Sequence, residues 1–403
     1  MHALDLFALL GAALLFAKVL GGVLERLGIP SVLAELLTGV LIGNLGPYAG
    51  ETFTAIQSSP ILEGLSELGV LFLLFLVGLE TNLSDLAESG KDASRAAVIG
   101  VAAPFILGFA LVYFTGGSLA GEGFNHALFL GAALSATSVG ITARVLSDSG
   151  ELRSRSGQII LGAAVIDDVL GIIVLAIVAA IVTQGTVTAG LLAGLFARIA
   201  LFGVLIWVLR RFLLGRVIRL LKPLEVPGTI TILMLSLCLI SAWAAEKAQL
   251  AGIIGAFALG LALDETYFEG YQHKSATGLE HLMKPVTDFL VPVFFMVVGM
   301  RVKLAVFTEP KTLAFAAALT VCAILGKMAC GLPISKEARR TGADRLLIGF
   351  GMLPRGEVGL IFAGMGIQLR VLSQSDYNSV VAMVALTTLL APALMSWRLK
   401  RIP

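Results

Sequence analysis

The chain is written in long apolar blocks separated by short polar ones. Thirteen blocks approach or exceed the roughly 20 residues a helix needs to cross hydrocarbon. They run approximately over 4–26, 30–48, 61–81, 93–115, 124–147, 156–183, 187–221, 228–247, 250–264, 284–302, 310–332, 342–370 and 376–399. None alternates with the period of two that a β-barrel requires. The pattern predicts an all-α polytopic membrane protein of about 13 transmembrane helices, forming one domain over residues 1–403. The seventh block has few turn residues between Gly190 and Leu221 and reads as one long connecting helix. The first is too long for a signal h-region and lacks a basic leader, so it reads as a retained helix.

Composition agrees. Of the 403 residues, 57% are hydrophobic and 14% charged, against about 25% charged in soluble domains. A net charge of +2 and the lack of any basic run exclude a nucleic-acid partner. Cys238, Cys322 and Cys330 lie in apolar stretches without a CxxC pair and read as inert thiols. About 20 of the 29 Lys and Arg residues fall in odd-numbered loops and the C-terminal tail, including Lys91, Arg153, Arg155, Lys222 and Arg398. Basic residues favour cytoplasmic loops, so this bias places the N-terminus outside and the C-terminus in the cytoplasm.

The chain also echoes itself. Phe75-Leu76-Val77-Gly78-Leu79 at the end of span 3 parallels Met296-Val297-Val298-Gly299-Met300 at the end of span 10. Ser138-Val139-Gly140-Ile141 in span 5 parallels Glu357-Val358-Gly359-Leu360 in span 12. Val165-Ile166-Asp167-Asp168-Val169-Leu170 in span 6 parallels Ala385-Leu386-Thr387-Thr388-Leu389-Leu390 in span 13. Each offset is seven helices. Seven is odd, so the two copies enter the membrane from opposite sides, which is the inverted repeat of secondary transporters.

Candidate chemistry follows from charges inside spans, each costing roughly 2.5–3.5 kcal/mol on insertion scales. Asp167 and Asp168 sit mid-span, and helix neighbours point about 100° apart. One carboxylate can therefore face a cavity while the other faces a packed helix. Lys327 lies deep in span 11, either snorkelling to the interface or paired with Asp167 or Asp168. Span 5 carries Thr137 and Ser138, and span 12 carries Pro354, Arg355, Gly356 and Glu357. Breaks at those places would turn backbone carbonyls toward an ion. The break in span 12 rests on Pro354 and Gly356; span 5 has no proline. Thr137 and Ser138 could instead bond back to their own helix. Arg355 and Glu357 read as structural, neutralising each other or the broken helix ends. Glu35 and Glu67 read as structural or dimer-facing, Glu35 near the interface. His2, His126, His273 and His281 lie near loops or span ends.

The run from Ala136 to Leu146, the Ile160–Gly171 segment and Pro354-Arg355-Gly356-Glu357-Val358-Gly359 together resemble the monovalent cation/proton antiporter superfamily, with the bacterial NapA-type Na+/H+ antiporters as the nearest group. The likeness extends over nearly the whole chain. It implies a homodimer of 13-helix protomers with crossed, broken spans 5 and 12, in a bacterial inner membrane. It implies a core bundle at about 93–183 and 310–399, a dimerisation scaffold at about 4–81 and 228–302, and a linker helix at about 187–221. The core would move against the scaffold like an elevator. By the matching motif, Asp168 carries cation and proton, and Asp167 forms a state-dependent salt bridge with Lys327. Na+ or Li+ would be held by Asp168, Asp167 and Thr137, with Ser138 nearby. No resident cofactor is implied; the partners are monovalent cations, protons and the lipid bilayer. An aspartyl protease dyad needs converging carboxylates, which neighbours on one helix are not. A channel needs no titratable pair. A K+/H+ exchanger of the same fold has the same residue types.

Overall fold

The structure is a computed structural model that describes residues 3–27, 29–49, 59–81, 83–115, 122–221, 228–263, 278–302, 304 and 310–402. All regular structure among them is helical. In chain order the helices are α1 (Ala3–Arg26), α2 (Val32–Ala49), α3 (Pro60–Glu80), α4 (Leu83–Phe114), α5 (Glu122–Ser135), α6 (Val139–Asp148), α7 (Arg155–Gln184) and α8 (Ala189–Val208). A π-turn at Leu209–Leu213 joins α8 to α9 (Leu214–Leu221), so the seventh block is one continuous helical segment. Then follow α10 (Thr229–Lys247), α11 (Gly252–Ala262), α12 (Gly278–Met300), α13 (Pro310–Met328), α14 (Lys336–Arg340), α15 (Arg345–Gly351), α16 (Glu357–Gln368) and α17 (Gln374–Leu399).

Ten spans among the described residues are long and apolar enough to cross a membrane, and three shorter apolar helices accompany them. Helix starts differ from the apolar blocks where polar residues continue the same helix. α4 begins at Leu83 rather than 93, and α12 at Gly278 rather than 284. Hydropathy marks only the part of a helix that meets lipid.

Two groups of helices emerge from the packing. α12 lies against α2 and α3, α11 against α3 and α10, and α1 against α2. In the other group α4 packs on α5, α7 and α13, α13 on α17, and α16 on α5 and α17. Backbone contact within the first group depends on glycines. A Cβ on Gly39 of α2 would collide with the Met296 carbonyl of α12, and one on Gly299 with the Leu36 carbonyl. One on Gly78 of α3 would meet Phe257 of α11, and one on Gly260 would meet Phe75. Such small residues let membrane helices approach closely. The spacing from Gly39 to Gly260 matches that from Gly78 to Gly299, so the repeat has a physical counterpart: α2 crosses α12 as α11 crosses α3.

Span 5 and span 12 are both interrupted. α5 stops at Ser135, residues 136–138 are extended, and α6 resumes at Val139; α15 stops at Gly351 and α16 starts at Glu357. The two interruptions cross each other. Ser138 N donates to the Pro354 carbonyl at 2.8 Å, and Thr142 Oγ1 to the Gly351 carbonyl at 2.5 Å. Each break satisfies backbone groups of the other, as a low-dielectric interior demands. Gly356 has to be small, because a Cβ there would stand 2.9 Å from Ser138 Oγ.

Candidate functional site

Lys327 enters the crossing from α13. Its neighbour Gly326 allows α13 to meet α4 at Pro104, where a Cβ would come within 2.6 Å of the proline Cα. Gly100, one turn away on α4, packs against Cys330: a Cβ there would be 2.7 Å from its Sγ, with Lys327 Nζ next at 3.7 Å. Lys327 is wholly buried, so it does not snorkel. Its Nζ donates to Thr137 Oγ1 at 2.5 Å and to Asp167 Oδ1 at 3.2 Å. Asp167 is 1% exposed and pairs with the lysine across helices α7 and α13. Asp168, the next residue, is half-buried. The two carboxylates thus diverge as helix geometry requires, one sealed and one partly accessible.

Thr137 does not bond back to its own helix. Its hydroxyl accepts from Lys327 and donates to the Met352 carbonyl at 3.4 Å, tying the lysine to both breaks. Ser135, a residue not singled out, is the one that bonds back, to Ala132 at 2.7 Å. Ser138 rests against Gly356. Arg355 is fully buried. Its Nη1 donates to the Ala136 carbonyl at 2.8 Å. That carbonyl lies just past the C-terminal end of α5, where the helix dipole is negative. Asp167 acts on Arg355 electrostatically. Pro354 supplies the carbonyl that Ser138 meets. The Glu357 side chain, Lys222, His2 and His273 lie outside the described residues.

Sequence reasoning passed over Thr142 as a site residue and quoted Thr388 only as half of a repeat. Thr388 Oγ1 donates to the Arg355 carbonyl, closing the break in span 12. A hydroxyl inside an apolar span was the available signal. Glu35 is 5% exposed, so it takes the structural and not the dimer-facing place of the two the sequence left open. Glu67 is exposed. His126 Nε2 stands 3.3 Å from Asp376 Oδ2, and His281 is exposed.

A buried ammonium and carboxylate at two crossed helix breaks, beside a half-buried carboxylate, have no acyl, phosphoryl or redox chemistry to perform. They can bind and release protons and small cations. The family profile described as "Sodium/hydrogen exchanger, transmembrane" matches residues 11–401. The chain belongs to that sodium/hydrogen exchanger family. As a family member it is a multi-pass membrane transporter, not an enzyme, and exchanges a monovalent cation for protons. This exchanger is similar to the high-affinity Na+/H+ antiporter NhaS3 of Synechocystis, at 36% identity over 94% of this chain and 86% of that one. It is 34% identical to the Na+/H+-K+ antiporter GerN of Bacillus cereus, with 98% and 96% of the two chains covered. Its fold matches that of the sodium proton antiporter MjNhaP1 of Methanocaldococcus jannaschii with a TM-score of 0.69, at 17% identity, covering 100% and 97%.

Proposed function

We propose that the chain is an electrogenic Na+(Li+)/H+ antiporter in which cation and proton compete for Asp168 by alternating access. The observation that carries this reading is the Lys327 ammonium held between Thr137 and Asp167, with Asp168 on the adjacent, more accessible face. In this arrangement the Thr137 hydroxyl is occupied by the lysine. Na+ entry at Asp168 takes that hydroxyl as a ligand and draws on the Asp167 carboxylate, so Lys327 loses both partners. An ammonium without partners in an apolar interior is costly, and the lysine releases a proton. One cation then moves against more than one proton. The membrane potential, worth about 2.3 kcal/mol per charge per 100 mV, drives the exchange.

The group built on α4–α7 and α13–α17 is the moving core in this scheme, roughly residues 93–183 and 310–399. The glycine-locked group of α1–α3 and α10–α12, roughly 4–81 and 228–302, is the scaffold and dimer surface. α8–α9, roughly 187–221, links them. The protein acts as a homodimer in a bacterial inner membrane, N-terminus outside. Na+ as the cation is supported by NhaS3 and by the Na+/H+ antiporter of Enterococcus hirae, 32% identical over 96% of this chain. K+ is the second reading, favoured by the likeness to GerN, a Na+/H+-K+ antiporter.

The test is proton release from acid-loaded proteoliposomes on adding Na+, Li+ or K+. Na+ and Li+ are expected to release protons and K+ not to. Exchange retained in Asp168→Asn overturns the site, and K+ acting as well as Na+ replaces the first reading with the second.

A further inference from the structure

Away from the crossing, one more intramembrane carboxylate is buried with an oxygen left over. Glu35, on the first turn of α2, is 5% exposed, and its Oε2 makes no hydrogen bond. α2 belongs to the glycine-locked group, but the charges that act on Glu35 come from both groups. From α6 they are Arg144 and Asp148; from α1, Lys18; from α12, Asp288. Glu25 of α1 acts on Asp148 in turn. Arg144 is engaged: its Nε donates to Asp148 Oδ2 at 2.9 Å. Leu33 and Leu36 of α2 share one apolar core with Ala143 and Val145 of α6. α2 touches α6, so Glu35 lies close enough to the Arg144–Asp148 pair for their charges to act on it across the seam between the two groups. Asp148 is at the rim and exposed to solvent.

A carboxyl in such a place alternates between two states, holding a proton or pairing with a cation, because an ionised carboxylate with neither is costly. Of the two cations that act on Glu35, Lys18 sits on α1 within the same group and Arg144 on α6 of the other, so Arg144 is the one that slides relative to α2 when one group moves against the other. We propose that Glu35 is a second proton-binding carboxyl of the transport cycle, relaying a proton across the seam to Asp148. While Arg144 is held by Asp148, Glu35 keeps its proton. When α6 shifts, Arg144 leaves Asp148 for Glu35. The O–H bond at Glu35 breaks, the proton adds to the Asp148 carboxylate that has just lost its partner, and Asp148 passes it to water at the rim. Charge is conserved at each step. The relay rests on the reading of α4–α7 and α13–α17 as the moving core, and it places a proton-handling residue on the opposite group.

Two measurements on the reconstituted protein test it. Infrared difference spectra taken across a pH titration are expected to show a protonated-carboxyl carbonyl band that is lost in Glu35→Gln and displaced in Glu35→Asp. The pH–rate profile of Na+-driven exchange, with pH varied on the side bearing Asp148, is expected to lose one titration step in Glu35→Gln and regain it in Glu35→Asp. A spectrum or profile unchanged in Glu35→Gln overturns the relay. Should Glu35→Gln fail to assemble, Arg144→Ala removes the cation and leaves the carboxyl. Its band is then expected to persist through the titration, and a band that still disappears overturns the proposal. Asp168→Asn separates the two readings: it is expected to abolish exchange while leaving the Glu35 band in place.

Discussion

The two halves of the repeat put different chemistry at the same place. In the first half, span 6 brings Asp167 and Asp168 to the crossing. In the second half, span 13 brings Thr387 and Thr388. Asp167 reaches out of its helix to a lysine on α13. Thr387 turns back to the Met383 and Val384 carbonyls of its own helix, and Thr388 caps the break at Arg355. The crossing itself is close to symmetric: each break accepts a backbone or side-chain donor from the other. The scaffold glycines are symmetric too. Backbone geometry can be duplicated because it needs only small residues and satisfied carbonyls. A titratable site duplicated at the same depth would bury a second set of charges, each costing several kcal/mol unless paired. The repeat therefore builds a frame in which one copy supplies the buried carboxylate and the other supplies the lysine that pairs with it.

That contrast can be broken most decisively at the carboxylates. Asp168→Asn is expected to abolish Na+-dependent proton movement in proteoliposomes, while Thr388→Val leaves it measurable. Equal loss in both would mean that the halves share the chemistry. Next in size is Asp167→Asn, which leaves the Lys327 ammonium buried without its counter-charge. It is expected to destabilise the protein by about 3–5 kcal/mol, read as a lower unfolding temperature in detergent. The double variant with Lys327→Gln should recover part of that loss, since the lysine's charge is then no longer buried without a partner. Thr387→Val is expected to be mild, because intramembrane side-chain hydrogen bonds average about 0.6 kcal/mol.

The geometric half of the comparison is tested at the glycines. Gly39→Val and Gly260→Val force the same collision on corresponding helix pairs, and overpacking costs about 1–3 kcal/mol. The two variants are expected to lose similar stability; a large effect in one and none in the other would show the frame to be asymmetric.

The smallest effect lies at the rim. Asp344 caps α15 through Leu347 N at 2.7 Å and pairs with Arg398 of α17 at 2.5 Å. Partial burial raises its pKa, but the Arg398 hydrogen bond and the Leu347 N–H outweigh that and hold the carboxyl below its ordinary value of 3.8. A depressed folded-state pKa means that the pair's stabilisation is complete above the unfolded value and is lost as pH falls through the folded one. Asp344→Asn is therefore expected to lower stability by well under about 1 kcal/mol at neutral pH, with the difference from the unmodified protein vanishing in acid.

Much of the site was legible from charge placement. Asp167, Asp168 and Lys327 stand out because an ionisable residue in an apolar span has few reasons to be there. The break in span 12 was legible from Pro354. The break in span 5 was far less so, because residues 136–138 contain neither proline nor glycine. That interruption is held open by groups from the other half of the chain: Arg355 on the Ala136 carbonyl and the Pro354 carbonyl on Ser138 N. Glu35 was only half legible: its distance from Pro30 marks it as near a helix end, but depth along a helix says nothing about which neighbour faces a side chain, and its burial excludes an outward-facing position.

By itself, the chain's pattern of apolar and polar residues determined the helical membrane fold, the repeat and the identity of the charged residues at its centre. Those follow from costs each segment meets alone: hydrocarbon admits apolar helices and penalises every buried charge. Only the tertiary structure decided that Lys327 pairs with Asp167, that Thr137 is held by the lysine, and that two helices are broken where they cross. Each of those is a choice among distant partners, made by which glycines let backbones meet and which carbonyls would otherwise be left without a donor.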